Sequence, residues 1–63
     1  MLTAADQTYI KGQIAKLNSG KYNTDDCLWR IASAADLPIQ AIDHIGMNER
    51  DRAIVRRFIA TFR

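Results

Sequence analysis

The middle of this chain, residues 28–47, reads LWRIASAADLPIQAIDHIGM and decides how the fold is built. Its first half predicts a helix that ends near Asp36, because a residue before proline is disfavoured in the helical region and Leu37 precedes Pro38. The apolar residues at helical spacing, which predict the buried stripe of this helix, are Leu28, Ile31, Ala32 and Ala35.

A short third helix is predicted to begin at Pro38, since the first helical position needs no N–H donor. Ile42 and Ile45 are expected to form its inner face, and Gly46 to close it. The residues that this helix is then expected to expose are Pro38, Ile39, Gln40, Asp43, His44 and Met47. The alternative interpretation is that Ile39 and Met47 complete the small core.

A first and a second helix are predicted from their caps. Thr3 and Asp6 have the spacing of a capping box, and Asn18-Ser19-Gly20 is expected to stop the helix, which places the first helix at about residues 4–17. Asn23 or Thr24 is expected to cap the second helix, which then runs into the central stretch.

The last helix is the clearest amphipathic element of the sequence. Asn48 is expected to cap it, and an acid, Asp51, follows three residues later. Its apolar residues at i, i+3, i+4 and i+7, which predict one buried face, are Val55, Phe58, Ile59 and Phe62. Arg52, Arg56 and Arg63 are expected on its other side.

Length and composition describe an ordinary small globular protein. The chain has 63 residues, of which 48% are hydrophobic and 25% charged. The expected fold is therefore a single all-α domain over residues 1–63, a compact bundle of four short helices with a helix-turn-helix-like central pair. A chain this short buries only about 60% of its unfolded surface, which leaves little material for a deep pocket. We expect no enzyme and no small-molecule substrate.

The chain is also poor in chemistry-bearing residues. His44 and Cys27 are the only histidine and cysteine, and a zinc site would need about four ligands with paired spacing. A Cys–His nucleophile would need a third, orienting group in a cleft. We therefore predict no catalytic, metal or cofactor site. A lone cysteine cannot form an intramolecular disulfide, and neither a signal peptide nor a membrane-length apolar run is present, so a cytoplasmic protein without membrane contact is expected.

Positive charge is concentrated near the C-terminus. Residues 48–63 carry five arginines against two acids, whereas residues 1–47 carry four basic and five acidic residues. The total of +2 is a weak indication of nucleic-acid binding.

Residues 28–47 resemble the helix-turn-helix of phage-repressor-like regulators. The likeness is carried by Ile31-Ala32, then Ala35, Leu37 after the turn, and the later Ile42 and Ile45. It implies two crossing helices, the second of which would enter a DNA groove. The family usually has glycine where this chain has Asp36, and Asp43 would face a polyanion. If DNA is bound, the expected residues are Gln40, His44, Arg52, Arg56, Arg57 and Arg63.

The whole chain, with its Ala35-Asp36-Leu37-Pro38 break, also looks like the small helical adaptor domains called effector-associated domains of bacterial conflict systems. An aliphatic, carboxylate-bearing third helix suits a protein partner better than base pairs. The function predicted first is a non-enzymatic protein-interaction module, an adaptor or inhibitor whose partner is another protein or a second copy of itself. The alternative is a DNA-binding transcriptional regulator of phage or plasmid type. The predicted partner-binding residues are Trp29, Ile39, Met47, Arg52, Arg56 and Arg57.

Overall fold

A computed structural model describes residues 2–62 of the chain. It contains three α-helices, α1 (Ala4–Ser19), α2 (Thr24–Ala35) and α3 (Glu49–Thr61), with a short 3-10 turn at His44–Gly46, and no strand lies within the described part. The all-α fold is confirmed, whereas four helices and a helix-turn-helix-like pair are not. None of these helices combines the length and the apolar character that crossing a bilayer requires.

The predicted helix ends are set by the expected side chains. Thr3 and Asp6 form a complete capping box at the start of α1. Gly20 ends α1 at φ 74°, a left-handed conformation that glycine adopts without steric cost. Asn23 and Asn48 cap α2 and α3 by accepting a backbone N–H three residues on.

α2 is the central element, because it packs against α1, α3 and the 3-10 turn. The buried hydrophobic cluster draws on all three helices and on Met47, which follows the 3-10 turn, and comprises Ile10, Leu28, Ile31, Ala32, Met47 and Val55. Phe58, Ile59 and Phe62 pack against it from α3, which confirms the predicted apolar face of the last helix. Cys27 is buried beside this cluster and is 3% exposed.

The predicted third helix is wrong. Residues 37–43 are not helical, and the turn at His44–Gly46 is the only helical piece before α3 in this stretch. Asp43 has extended backbone, with φ −155°, and its carboxylate caps the turn by accepting the Gly46 N–H at 3.1 Å. An aspartate competes with helix formation in this way, and β-branched isoleucines have low helix propensity.

The side-chain orientations expected from that helix are therefore also wrong. Ile42 and Ile45, predicted to face inward, are 90% and 82% exposed. Met47, predicted to face outward, is 5% exposed and belongs to the core. Ile39 is half-buried and packs against the core.

Candidate partner-binding surface

The segment between α2 and α3 is held in place at Ala41. Its N–H donates to Asp51 Oδ2 at 3.2 Å, and its carbonyl accepts the indole N–H of Trp29 at 3.3 Å. The neighbouring N–H of Gln40 donates to Asp51 Oδ1 at 3.0 Å. The backbone at this point is thus bonded to both α2 and α3.

Asp51 is fully buried, and its carboxylate accepts the backbone N–H groups of this segment in place of the carbonyl acceptors that a helix would provide. A buried carboxylate needs such partners, since an unpaired charge is strongly disfavoured in the interior. Arg50 adds a longer-range favourable contact, with Nη1 3.9 Å from Asp51 Oδ1, and it remains exposed at the surface.

Just beyond Ala41, the chain presents two large aliphatic side chains to solvent. Ile42 and Ile45 flank the start of the 3-10 turn and are the most exposed large hydrophobic residues of the described part. Fully burying one isoleucine is worth about 1.5–3 kcal/mol, so this arrangement leaves a substantial stabilisation unused by the fold. We call these two residues the isoleucine surface.

Polar and charged side chains border the isoleucine surface on the α2 side. His44 Nδ1 lies 3.9 Å from Asp26 Oδ1, and Arg30 Nε donates to the same oxygen at 3.0 Å. The Tyr9 hydroxyl and then the Asp26 carboxylate raise the pKa of Arg30. A polar rim around a small apolar centre is the usual composition of a protein-binding patch.

Arg52 is bound within the fold. Its guanidinium makes two bonds of 2.9 Å to the Asp25 carboxylate and a third, of 3.1 Å, to the Met47 carbonyl. The hydrogen bond from Arg52 is the main cause that lowers the pKa of Asp25, against a smaller opposing effect of burial. Arg52 therefore joins α3 to the start of α2 and to the end of the 3-10 turn.

The other predicted site residues are scattered over the surface. Trp29 is half-buried and holds Ala41, whereas Gln40 is exposed and engaged through its backbone. Arg56 and Arg57 are exposed on α3, and neither forms an ion pair within residues 2–62. Arg63 lies outside the described residues.

Three residues of this region are not identified by the sequence pattern, which predicts Ile42 and Ile45 in the core and Asp51 only beside a helix cap. A signal for Asp51 was present. It precedes Val55 by four residues and Phe58 by seven, which places a carboxylate on the apolar face of α3. A carboxylate on a buried face needs N–H partners from another segment.

Among residues 2–62, no group of three or more His, Cys, Asp and Glu side chains is arranged to hold a metal ion. Comparison with protein-family models, with curated proteins and with solved structures finds no match for this chain. Function is therefore inferred from the geometry of the isoleucine surface and of the exposed arginines.

Proposed function

We propose that this protein is a small, non-enzymatic protein-interaction module that binds a partner protein through the isoleucine surface, with the exposed arginines of α3 as a second contact. The observation that carries the proposal is the near-complete exposure of Ile42 and Ile45 on a segment whose backbone is fixed at Ala41. A fixed segment loses little conformational entropy when a partner binds, which favours affinity.

The side chains of this surface indicate which side chains the partner should carry. An aliphatic pair fits a shallow apolar pocket, and it supplies the central anchor that protein interfaces require. Arg50 and Arg57 are seven residues apart and so share one outer face of α3, and Arg56 lies beside this face. Arginine pairs well with carboxylates at interfaces, so the partner is expected to carry acidic side chains beside its apolar pocket.

The test is binding by a charged double variant, Ile42→Asp with Ile45→Asp. The tagged protein is used to capture partners from a lysate of its own host after nuclease treatment. The captured protein is then identified, and its affinity is measured with purified components. We expect the double variant to bind at least about tenfold more weakly, since each isoleucine contributes apolar burial at the contact.

The matched control is Tyr22→Ser, which removes an apolar side chain that is 54% exposed at the α1–α2 connection. This variant should bind as the wild type does. Equal binding by the double variant and the wild type would place the contact elsewhere and overturn the proposal. If the double variant instead converts a dimer to a monomer in sedimentation, the partner is a second copy of the chain.

The alternative function, DNA binding, would now depend on the arginines of α3, because the expected recognition helix is not formed. Contacts of this kind reach phosphates and weaken by orders of magnitude between low and moderate salt. A partner that is captured from untreated lysate but not from nuclease-treated lysate, together with a steep salt dependence of binding, would favour this alternative.

A further inference from the structure

A cavity of about 180 Å³ opens beside Ala41, at the C-terminal end of α2. Trp29 and Ser33, four residues apart on one face of α2, line one side together with Asp36, the residue that ends the helix. The other side comes from the returning segment, through Leu37, Ile39 and Ala41.

The charges around this cavity favour a cation. Asp36 is exposed, and its carboxylate makes no hydrogen bond or ion pair with residues 2–62. The C-terminal end of a helix carries partial negative charge from its last carbonyl groups. The last turn of α2 contains no basic residue to balance it. Two sources of negative potential therefore meet at one opening without a compensating cation.

The apolar part of the cavity suits the methylene chain of a basic residue. The Trp29 indole donates its N–H to the Ala41 carbonyl, which fixes the orientation of the ring. An indole attracts a cation through its π face, and here it lines the same cavity as the Asp36 carboxylate. A purely apolar group would leave the Asp36 carboxylate partly desolvated and unpaired, and an anion would be repelled.

We propose that this cavity binds the side chain of an arginine or a lysine of the partner protein, with the cationic head at Asp36 and the methylene stem against Trp29. The inference rests on the proposed function in one respect, namely that the arginine or lysine belongs to the partner protein. Because Ala41 lines the cavity and Ile42 follows it directly, the two contacts would belong to one continuous interface.

The cavity can be tested with a small probe, n-butylguanidinium chloride, titrated into the ¹⁵N-labelled full chain at constant ionic strength. Trp29 is the only tryptophan, so its indole N–H signal is identified directly. We expect saturable shifts of this signal and of the Ser33 and Leu37 amides. The nearly isosteric neutral probe n-butylurea should produce much smaller shifts at the same concentrations.

The decisive variant is Asp36→Asn, which keeps the shape of the side chain and removes its charge. Affinity for the guanidinium probe should fall about 1.5- to fivefold, the range expected for an exposed ion pair. Glu49→Gln is the matched control, because it removes a carboxylate that is 97% exposed outside the cavity lining. Circular dichroism checks that both variants remain folded.

Equal shifts with n-butylurea, or an unchanged affinity in Asp36→Asn, would overturn the cation site. Neither result would touch the proposed function, which is tested by Ile42→Asp with Ile45→Asp against the purified partner. Conversely, if the test of the proposed function fails, the result of the probe titration still stands. A reduced affinity of Asp36→Asn for the identified partner would join the two contacts in one interface.

Discussion

Asp51 and Ala41 are ten residues apart in the sequence, and a hydrogen bond of 3.2 Å joins the buried carboxylate of the first to the backbone N–H of the second. This contact ties α3 to the segment that presents Ile42 and Ile45. It also engages the Ala41 N–H, which would donate to a carbonyl four residues earlier if this segment were helical. The shape of the candidate surface is consequently decided by a side chain on another element.

Asp51→Ala is expected to be strongly destabilising. It leaves the Gln40 and Ala41 N–H groups without their acceptor and opens a gap in a buried site. An unsatisfied buried donor costs about 1–3 kcal/mol, and these two donors are partly buried, so we expect the free energy of unfolding to fall by about 2–4 kcal/mol. Urea denaturation followed by circular dichroism measures this, with the exposed Glu49→Gln as a control that stays within about 0.5 kcal/mol of the wild type. A loss below about 1 kcal/mol would show that water replaces the carboxylate.

Asp36→Gly is expected to be stabilising. Asp36 ends α2 with φ 55°, in the left-handed region, where glycine is free of the Cβ strain that other residues experience. Part of this gain is offset by the larger entropy of glycine in the unfolded chain, so we expect an increase of about 0.5 kcal/mol in the free energy of unfolding.

The opposite substitution, Gly20→Ala at the end of α1, serves as the control for Asp36→Gly. Gly20 has φ 74°, and a Cβ added there would meet no atom within 4 Å, so Gly20→Ala isolates the conformational cost. A loss of about 1 kcal/mol is expected. Stabilisation by Gly20→Ala, or destabilisation by Asp36→Gly, would contradict the assigned backbone conformations.

The Asp25–Arg52 pair predicts a pH-dependent contribution to stability. The pKa of Asp25 is lowered from its ordinary value of 3.8, chiefly by the hydrogen bond from Arg52. Because the folded state holds the proton more weakly than the unfolded state, the contribution is fully present above the unfolded pKa. It is lost as the pH falls through the lower, folded pKa. Thermal melts of wild type and Asp25→Asn should therefore differ at neutral pH and converge in strong acid. A constant difference across that range would rule out the ion pair as its source.

The two classes of isoleucine should respond differently to substitution. Ile31 is fully buried, so Ile31→Ala should cost about 2–5 kcal/mol of unfolding free energy. Ile42→Asp alters a side chain that is 90% exposed and should change stability by less than about 0.5 kcal/mol. Chemical denaturation of both variants checks the assignment. A large loss in Ile42→Asp would mean that this side chain is buried in solution.

Cys27 is expected to react slowly with thiol reagents. It is 3% exposed, and burial, followed by the nearby Asp26 charge, raises the pKa of its thiol above 9.0. Both effects reduce the population of accessible thiolate, so labelling by a disulfide reagent should be at least about 100-fold slower than in urea-unfolded protein. Similar rates in the folded and unfolded protein would contradict the buried position.

Local signals in the sequence correctly predicted the three α-helices that are present, although the fourth predicted helix is not formed. The caps Thr3, Asn23 and Asn48 and the terminator Gly20 act within one turn of their own helix, so their effect can be deduced from neighbouring residues. The apolar face of α3 was equally readable, because its spacing repeats within the helix itself.

The candidate site was harder to predict, because residues 37–47 satisfy both a helical pattern and an extended one. The apolar spacing of Ile42 and Ile45 suggested an inward-facing pair, whereas Asp43 and Pro38 permit a turn. The hydrogen bonds that decide between these conformations come from Asp51 on α3 and Trp29 on α2. Their partners cannot be identified from spacing along the chain.

By itself, the amino-acid sequence determined the all-α class, the positions of α1, α2 and α3, and most of the core, since caps and periodicity depend on residues within a few positions of each other. The tertiary structure alone decided that residues 37–43 are not helical, that Met47 turns inward, and that Ile42 and Ile45 turn outward. The reason is that a buried carboxylate must find N–H donors wherever the packed helices place it, and here those donors belong to the segment before α3.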